Sequence, residues 1–288
     1  MEHPDYLPYV SAFEQLLDSG RGLPVVPQSM PVLPPVAADA PVCLLFSPHP
    51  DDEVITGGLP WRLRRQDGWR VVNVAVTLGS NLARRAARWS ELGHCCSRLG
   101  FELLSASGEH ANGLERITPQ AAAQEPGHWA CAVQRVADLL VQFHPRVVVC
   151  PHDNDGHAAH IGTHHLVMDA LRLLGGRVQP HVLLTEYWNT QPAPRLMVQL
   201  SAADVADLVA ALSLHVGEVA RNPYHLTLPA GCIDAVRRGA ERVGAAGAQA
   251  PGFTFATLYG WQRWDASGAV TQPARVLPLG LAPGLFFA

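Results

Sequence analysis

A chain of 288 residues that is 48% apolar has material for a large core, and one α/β domain with additions accommodates it. The formal net charge is −4, 16% of residues are charged, and no basic run exceeds Arg84-Arg85, so a nucleic-acid footprint is excluded and a small-molecule partner is expected. No stretch approaches 18 uninterrupted apolar residues and Met1 to Asp5 is neither basic nor followed by an apolar leader, so no membrane span and a cytoplasmic location are expected.

In chain order, Tyr9, Phe13 and Leu16-Leu17 predict an amphipathic helix over 5–19, and five prolines between Pro24 and Pro35 follow it. Residues 1–40 read as an N-terminal extension packed on the domain. Apolar runs at 42–46, 71–76, 146–150 and 181–186 then alternate with segments of helical period at 82–99, 129–143, 161–174 and 203–216. That alternation is the signature of parallel strands joined by helices, so the expected fold is a Rossmann-like, mostly parallel sheet with helices on both faces. The main domain is expected over 41–270, with loops 105–126 and 187–200 capping the strand ends. The tail 271–288 holds Leu277, Leu279, Leu281 and Leu285 to Phe287, an apolar set that calls for a cover from a second subunit or from the chain itself. The six cysteines show no C-x-x-C spacing and lie mostly in apolar segments, which predicts reduced core thiols and leaves metal binding to His and carboxylate.

Ser47-Pro48-His49-Pro50-Asp51-Asp52-Glu53 follows the first apolar run and brings one imidazole and two carboxylates together within four positions. Such a set can supply two ligands to a divalent ion and a free base beside them. Candidates for a third ligand follow the run Val147 to Cys150, in Pro151-His152-Asp153-Asn154-Asp155-Gly156-His157-Ala158-Ala159-His160. If 157–160 opens a helix, the H-x-x-H spacing sets His157 and His160 on neighbouring positions. The acidic residues alone also suit a helix N-terminus, His152 reads as a solvated loop histidine, and of His164 and His165 one is expected in the core and one outside. Open α/β sheets bind ligands beyond the carboxyl ends of their strands, where both motifs fall. A nucleotide-dependent Rossmann enzyme needs G-x-G-x-x-G after the first strand, and this chain has His-Pro-Asp-Asp there.

These residues resemble the LmbE-like or PIG-L family of zinc-dependent de-N-acetylases, which carry A-H-P-D-D-E after the first strand and D-x-H-x-D-H later. The corresponding segments are Ser47 to Glu53 and Asp155 to His160. Thr77-Leu78-Gly79, Arg88-Trp89-Ser90-Glu91 and Leu99-Gly100 are similar to the family's middle region, and the resemblance spans about residues 41–260. It implies an LmbE-like fold in which His49, Asp52 and His160 bind Zn²⁺, or another divalent ion such as Fe²⁺. It further implies that Asp51 is the general base, that His157 stabilises the oxyanion and that Arg88 contacts the substrate. The implied reaction removes an acetyl group from an N-acetylglucosamine-type amino sugar or its conjugate, with Tyr187 and Trp188 available to stack on the ring.

Two positions depart from the family pattern. Ala159 stands where the family has an acid, so the bond that orients the neighbouring histidine must come from elsewhere, with Asp155 as the candidate. Near Leu214 to Glu218 only His215 remains of an H-x-S-Q pattern. The competing readings are a non-catalytic sugar-binding protein that keeps the metal site and a zinc amidase acting on another acyl group. Asp51 beside Asp52 favours an enzyme, because a structural site needs no free base.

Overall fold

The computed structural model describes residues 6–25, 29–109 and 112–288. Their strands are β1 (Val42–Ser47), β2 (Arg70–Ala75), β3 (Glu102–Ser105), β4 (Val147–Pro151), β5 (His181–Thr185), β6 (Leu196–Leu200), β7 (Phe255–Asp265), β8 (Gly268–Thr271) and β9 (Arg275–Leu277). They form one sheet in the order β3-β2-β1-β4-β5-β7-β6-β9, with β8 paired to β7. Strands β3 to β5 of that order run parallel, and β7 lies antiparallel to both β5 and β6.

The helices are α1 (Leu7–Arg21), α2 (Asp52–Ile55), α3 (Gly58–Asp67), α4 (Arg85–Leu99), α5 (Ala121–Gln124), α6 (Pro126–Phe143), α7 (Ala158–Leu174), α8 (Ala202–Leu212), α9 (Val216–Val219) and α10 (Tyr224–Val243). None is long and apolar enough to cross a membrane.

The four apolar runs become β1, β2, β4 and β5, and their uninterrupted apolarity has a simple cause. Successive side chains of a strand point to opposite faces, and here both faces are covered. Cys43 and Leu45 of β1 pack in one core with Trp61 and Leu63 of α3 and Leu92 of α4. Leu44 and Phe46 pack in the other with Val136 of α6 and Leu166 of α7. The crossovers leaving β1 thus use one face and those entering and leaving β4 the other, so the chain reverses direction between these two neighbouring strands. This is the switch point of a doubly wound sheet.

Helix α1 forms as expected and contacts α10, while none of its residues is buried and Leu7, Tyr9, Phe13 and Leu16 are exposed. Part of its predicted span, Asp5, and Pro27 of the proline-rich stretch lie outside the described residues. The segment 187–200 is not all loop, because Leu196–Leu200 pairs with β7 and is almost fully buried. The chain itself covers part of the tail: Phe287 is buried among Trp69, His181 and Trp261, and Arg62 donates to the carbonyls of Leu277, Pro278 and Leu281, while Leu281 and Leu285 stay exposed.

Candidate metal centre

Strands β1 and β4 end side by side, and each releases its motif at the same edge of the sheet. His49 lies on the β1–α2 loop, Asp52 opens α2, His157 is the N-cap of α7, and His160 lies in its first turn. Three polar atoms converge there: His49 Nδ1 is 3.2 Å from His160 Nε2 and 3.6 Å from Asp52 Oδ2, and the last two are 3.3 Å apart. Ligands about 2.0–2.1 Å from a tetrahedral ion stand about 3.3–3.4 Å from one another, so this triangle has the dimensions of one face of such a site. Asp52 Oδ1 is buried without a hydrogen-bond partner, which fits a carboxylate able to bind a cation.

Charge balance points the same way. Burial pushes Asp52 up, but the imidazoles of His160 and His49 win and hold it well below the usual carboxylate range. Burial likewise opposes a charge on His160, yet Asp52 and Asp155 raise its pKa to about 10. The carboxylates demand positive charge at this spot. A proton on His160 answers that demand, and a divalent cation displaces such a proton when it binds.

His49, His157 and His160 also present ligand atoms within 4.8 Å of one another, an alternative triad. The tautomer of His157 decides against it. Its Nδ1 accepts the Ala159 N–H at 3.2 Å, so the neutral ring carries its proton on Nε2 and offers a donor there, not a lone pair. Burial and the neighbouring His49 and His160 lower its pKa, which keeps it neutral. The orienting contact expected from an acid at position 159 is thus made by the backbone of Ala159. Asp155 orients the other histidine, with Oδ1 2.9 Å from His160 Nδ1 and Oδ2 accepting the Tyr187 N–H.

Asp51 is buried beside this triangle with φ 116° and ψ −27°, in the left-handed half of backbone space that a non-glycine residue occupies at a cost of about 1–3 kcal/mol. Its carboxyl pKa is raised well above the ordinary value by burial and by Asp52 and Glu53, against a lowering by Arg88. Arg88 itself donates to the carbonyls of Pro50 and Leu78 and lies 3.4 Å from Glu218. His152 is buried, not solvated: Nδ1 accepts from Asn154, so Nε2–H donates to the Asn189 carbonyl. His164 and His165 are both half-buried, and His164 Nδ1 faces the Pro151 carbonyl.

Aromatic rings line the entrance. Tyr187 stacks on His160, and Trp188, 54% exposed, stacks on His157 at 5.6 Å with an interplanar angle of 25°. Behind Tyr187 lies a cavity of about 320 Å³ lined by Thr56, Tyr224, Leu228, Arg238 and Thr257 among others. Two site neighbours, Glu53 and His215, are 0% exposed and hydrogen-bonded to each other, a link across 162 positions that no local pattern announces.

Residues 44–171, which include every residue of the triangle, match the PIG-L family, described as GlcNAc-PI de-N-acetylase. That match covers less than half of the chain. The fold is shared with several solved structures. The conserved protein TT1542 from Thermus thermophilus has 17% identity and a TM-score of 0.56 over 83% of this chain and 97% of its own. N,N'-diacetylchitobiose deacetylase from Pyrococcus horikoshii has 16% identity and a TM-score of 0.52 over 91% and 94%. The 4-carboxy-2-hydroxymuconate hydratase GalB from Pseudomonas putida has 17% identity and a TM-score of 0.54 over 77% and 95%. No protein of curated function matches the chain in sequence. A hydratase and a deacetylase on one fold show that the fold does not choose the reaction.

Proposed function

We propose that the protein is a zinc-dependent hydrolase that removes the acetyl group from an N-acetylglucosamine-type amino sugar or its conjugate. The observation that carries this reading is the triangle of His49, Asp52 and His160 with the carboxyl of Asp51 beside it, within the segment that matches the PIG-L family. The three residues hold the ion; bound there, zinc supplies a Lewis acid for the acetamide carbonyl and acidifies a water. Asp51, made basic by burial and by its acidic neighbours, takes the water's proton at its carboxylate. His157 donates from Nε2–H to the oxygen that becomes negative as the carbonyl is attacked. The proton gained by Asp51 then passes to the departing amine, leaving acetate and a free amino sugar.

For Arg88, the hydrogen bonds favour support of the Pro50–Asp51 backbone over the substrate contact expected from sequence. The exposed face of Trp188 is the platform for a pyranose ring, and the cavity behind Tyr187 gives room for a group attached to it. Residues 41–270 form the catalytic unit in this reading. The six free thiols, all but Cys131 buried, fit a reducing compartment such as the cytoplasm.

Acetate release from a panel of N-acetylated sugars and conjugates, with protein of assayed zinc content and a chelated control, tests the reading. Chelator-sensitive release is expected, and Asp51→Asn should keep its zinc while losing about 10²–10⁴ of turnover. Zinc-loaded protein that releases acetate from no member of the panel, or an Asp51→Asn variant with undiminished turnover, would overturn it.

A further inference from the structure

Glu53 stands out among the acidic residues of the β1–α2 segment because it touches neither the triangle nor solvent. Its Oε2 accepts the backbone N–H of Asp51, the residue whose φ is 116°, at 2.9 Å. Its Oε1 stands 2.7 Å from His215 Nε2, and both side chains are wholly buried. The Cys95 sulfur lies within 4.8 Å of this carboxylate, and burial and the charge of Glu53 push its thiol up, so it stays protonated.

Glutamate, cysteine and histidine gathered in this way have the composition of a metal site. The distances say otherwise. A separation of 2.7 Å is a hydrogen bond, well short of the roughly 3.3 Å between two ligands of one tetrahedral ion, and the other carboxylate oxygen is already engaged by an N–H. The cluster is a hub of donors around one buried carboxylate. Keeping a wholly buried carboxylate in place of an apolar residue is unfavourable unless the charge does something, and the one polar backbone group it meets belongs to Asp51. From the outside, Arg88 donates to the carbonyl of Pro50 and Thr77 to that of Pro48, so the loop before Asp51 is gripped on both sides.

We propose that Glu53, clamped by His215, is a positioning residue that holds the backbone of Asp51 in its left-handed conformation and so aims its carboxyl at the site. The proposal rests on the reading of Asp51 as the general base. It gives a role to His215, the one residue near 214–218 that keeps the family's pattern. It also explains why a histidine from the start of α9 reaches Glu53 of α2: the base is oriented from the buried interior.

The test compares Glu53→Met, which keeps the volume and removes the acceptor, with Glu53→Gln, which keeps an acceptor for the Asp51 N–H. Glu53→Met should lose about 100-fold in kcat with KM within about twofold and zinc content unchanged, the size of effect that a misplaced catalytic group produces. Glu53→Gln should stay within about fivefold of wild type, and in the crystal structure of Glu53→Met the φ of Asp51 should relax to a negative value. His215→Leu, which removes the clamp and leaves Glu53 in place, should lose kcat in the same manner and serves if Glu53→Met does not fold. Wild-type kcat in the folded Met or Leu variant, equal losses in Met and Gln, a loss that follows zinc content, or an unchanged φ would each overturn the proposal. A wild-type protein inactive on every substrate would instead count against the base assignment, while the φ of Asp51 still decides whether the pair holds that backbone.

Discussion

Asp155 and His160 face each other at 2.9 Å, carboxylate Oδ1 to ring Nδ1, with Asp155 sealed from solvent. The contact turns the other ring nitrogen, Nε2, toward Asp52 and His49, and so connects a buried acid to the proposed metal triangle through one imidazole. Removing such a partner typically lowers metal affinity 10–100-fold. Asp155→Ala should therefore bind zinc about 10–100-fold more weakly in competition with a chelator, and an affinity equal to wild type would mean that the ring is held by other contacts.

Trp188 makes a different kind of contact. It lies on His157 with about half its surface in water, so a substrate ring can take the free face. Aromatic contacts of this kind are worth about 0.5–1.5 kcal/mol, which corresponds to roughly a 2- to 12-fold change in binding. Trp188→Ala is expected to raise KM by about that factor with kcat little changed. A fall in kcat at constant KM would assign the ring to the orientation of His157.

Arg62 ties the C-terminal segment to the core. Its guanidinium, wholly buried, donates to the carbonyls of Gln199, Leu277, Pro278 and Leu281, and its Nε donates to Gln66. Arg62→Met keeps much of the volume and removes four charge-assisted donations to those carbonyls, of which that of Pro278 keeps only the Leu281 N–H, a loss of about 3–5 kcal/mol. Chemical denaturation should report that loss, and limited proteolysis should find cleavage after residue 277 before the rest of the domain unfolds.

The acid side of the stability curve should carry the signature of His181. Its Nδ1 accepts the Trp261 indole N–H at 3.0 Å, and burial, with Arg263 and Arg146 nearby, lowers its pKa from 6.5 to about 4. Between these values the unfolded chain binds a proton that the folded one refuses. Stability is then complete above pH 6.5 and falls as the pH drops toward 4, by up to about 3 kcal/mol. Replacement by asparagine should flatten this part of the curve in urea unfolding at pH 4.5 and 7.5, whatever its effect at neutral pH.

How much of this could be read from the chain alone depends on the range of the interaction. Strands β1, β2, β4 and β5 were legible because burial on both faces imposes continuous apolar runs, and α4, α6 and α7 because a single buried face imposes the helical period. Strand β6 was not, since five residues beside a loop-like segment carry no periodicity of their own and become a strand only by pairing with β7. The interior proline Pro229 in α10 hid that helix in the same way.

The sequence by itself determined the two strand-end motifs, the histidines and carboxylates they carry and the parallel strands that release them, because each is written in local pattern and spacing. Only the tertiary structure decided which imidazoles meet Asp52, which nitrogen of His157 carries a proton, and that His215 reaches Glu53 across 162 positions. Hydrogen-bond partners and burial are properties of packing, and packing joins residues whose separation along the chain leaves no periodic trace.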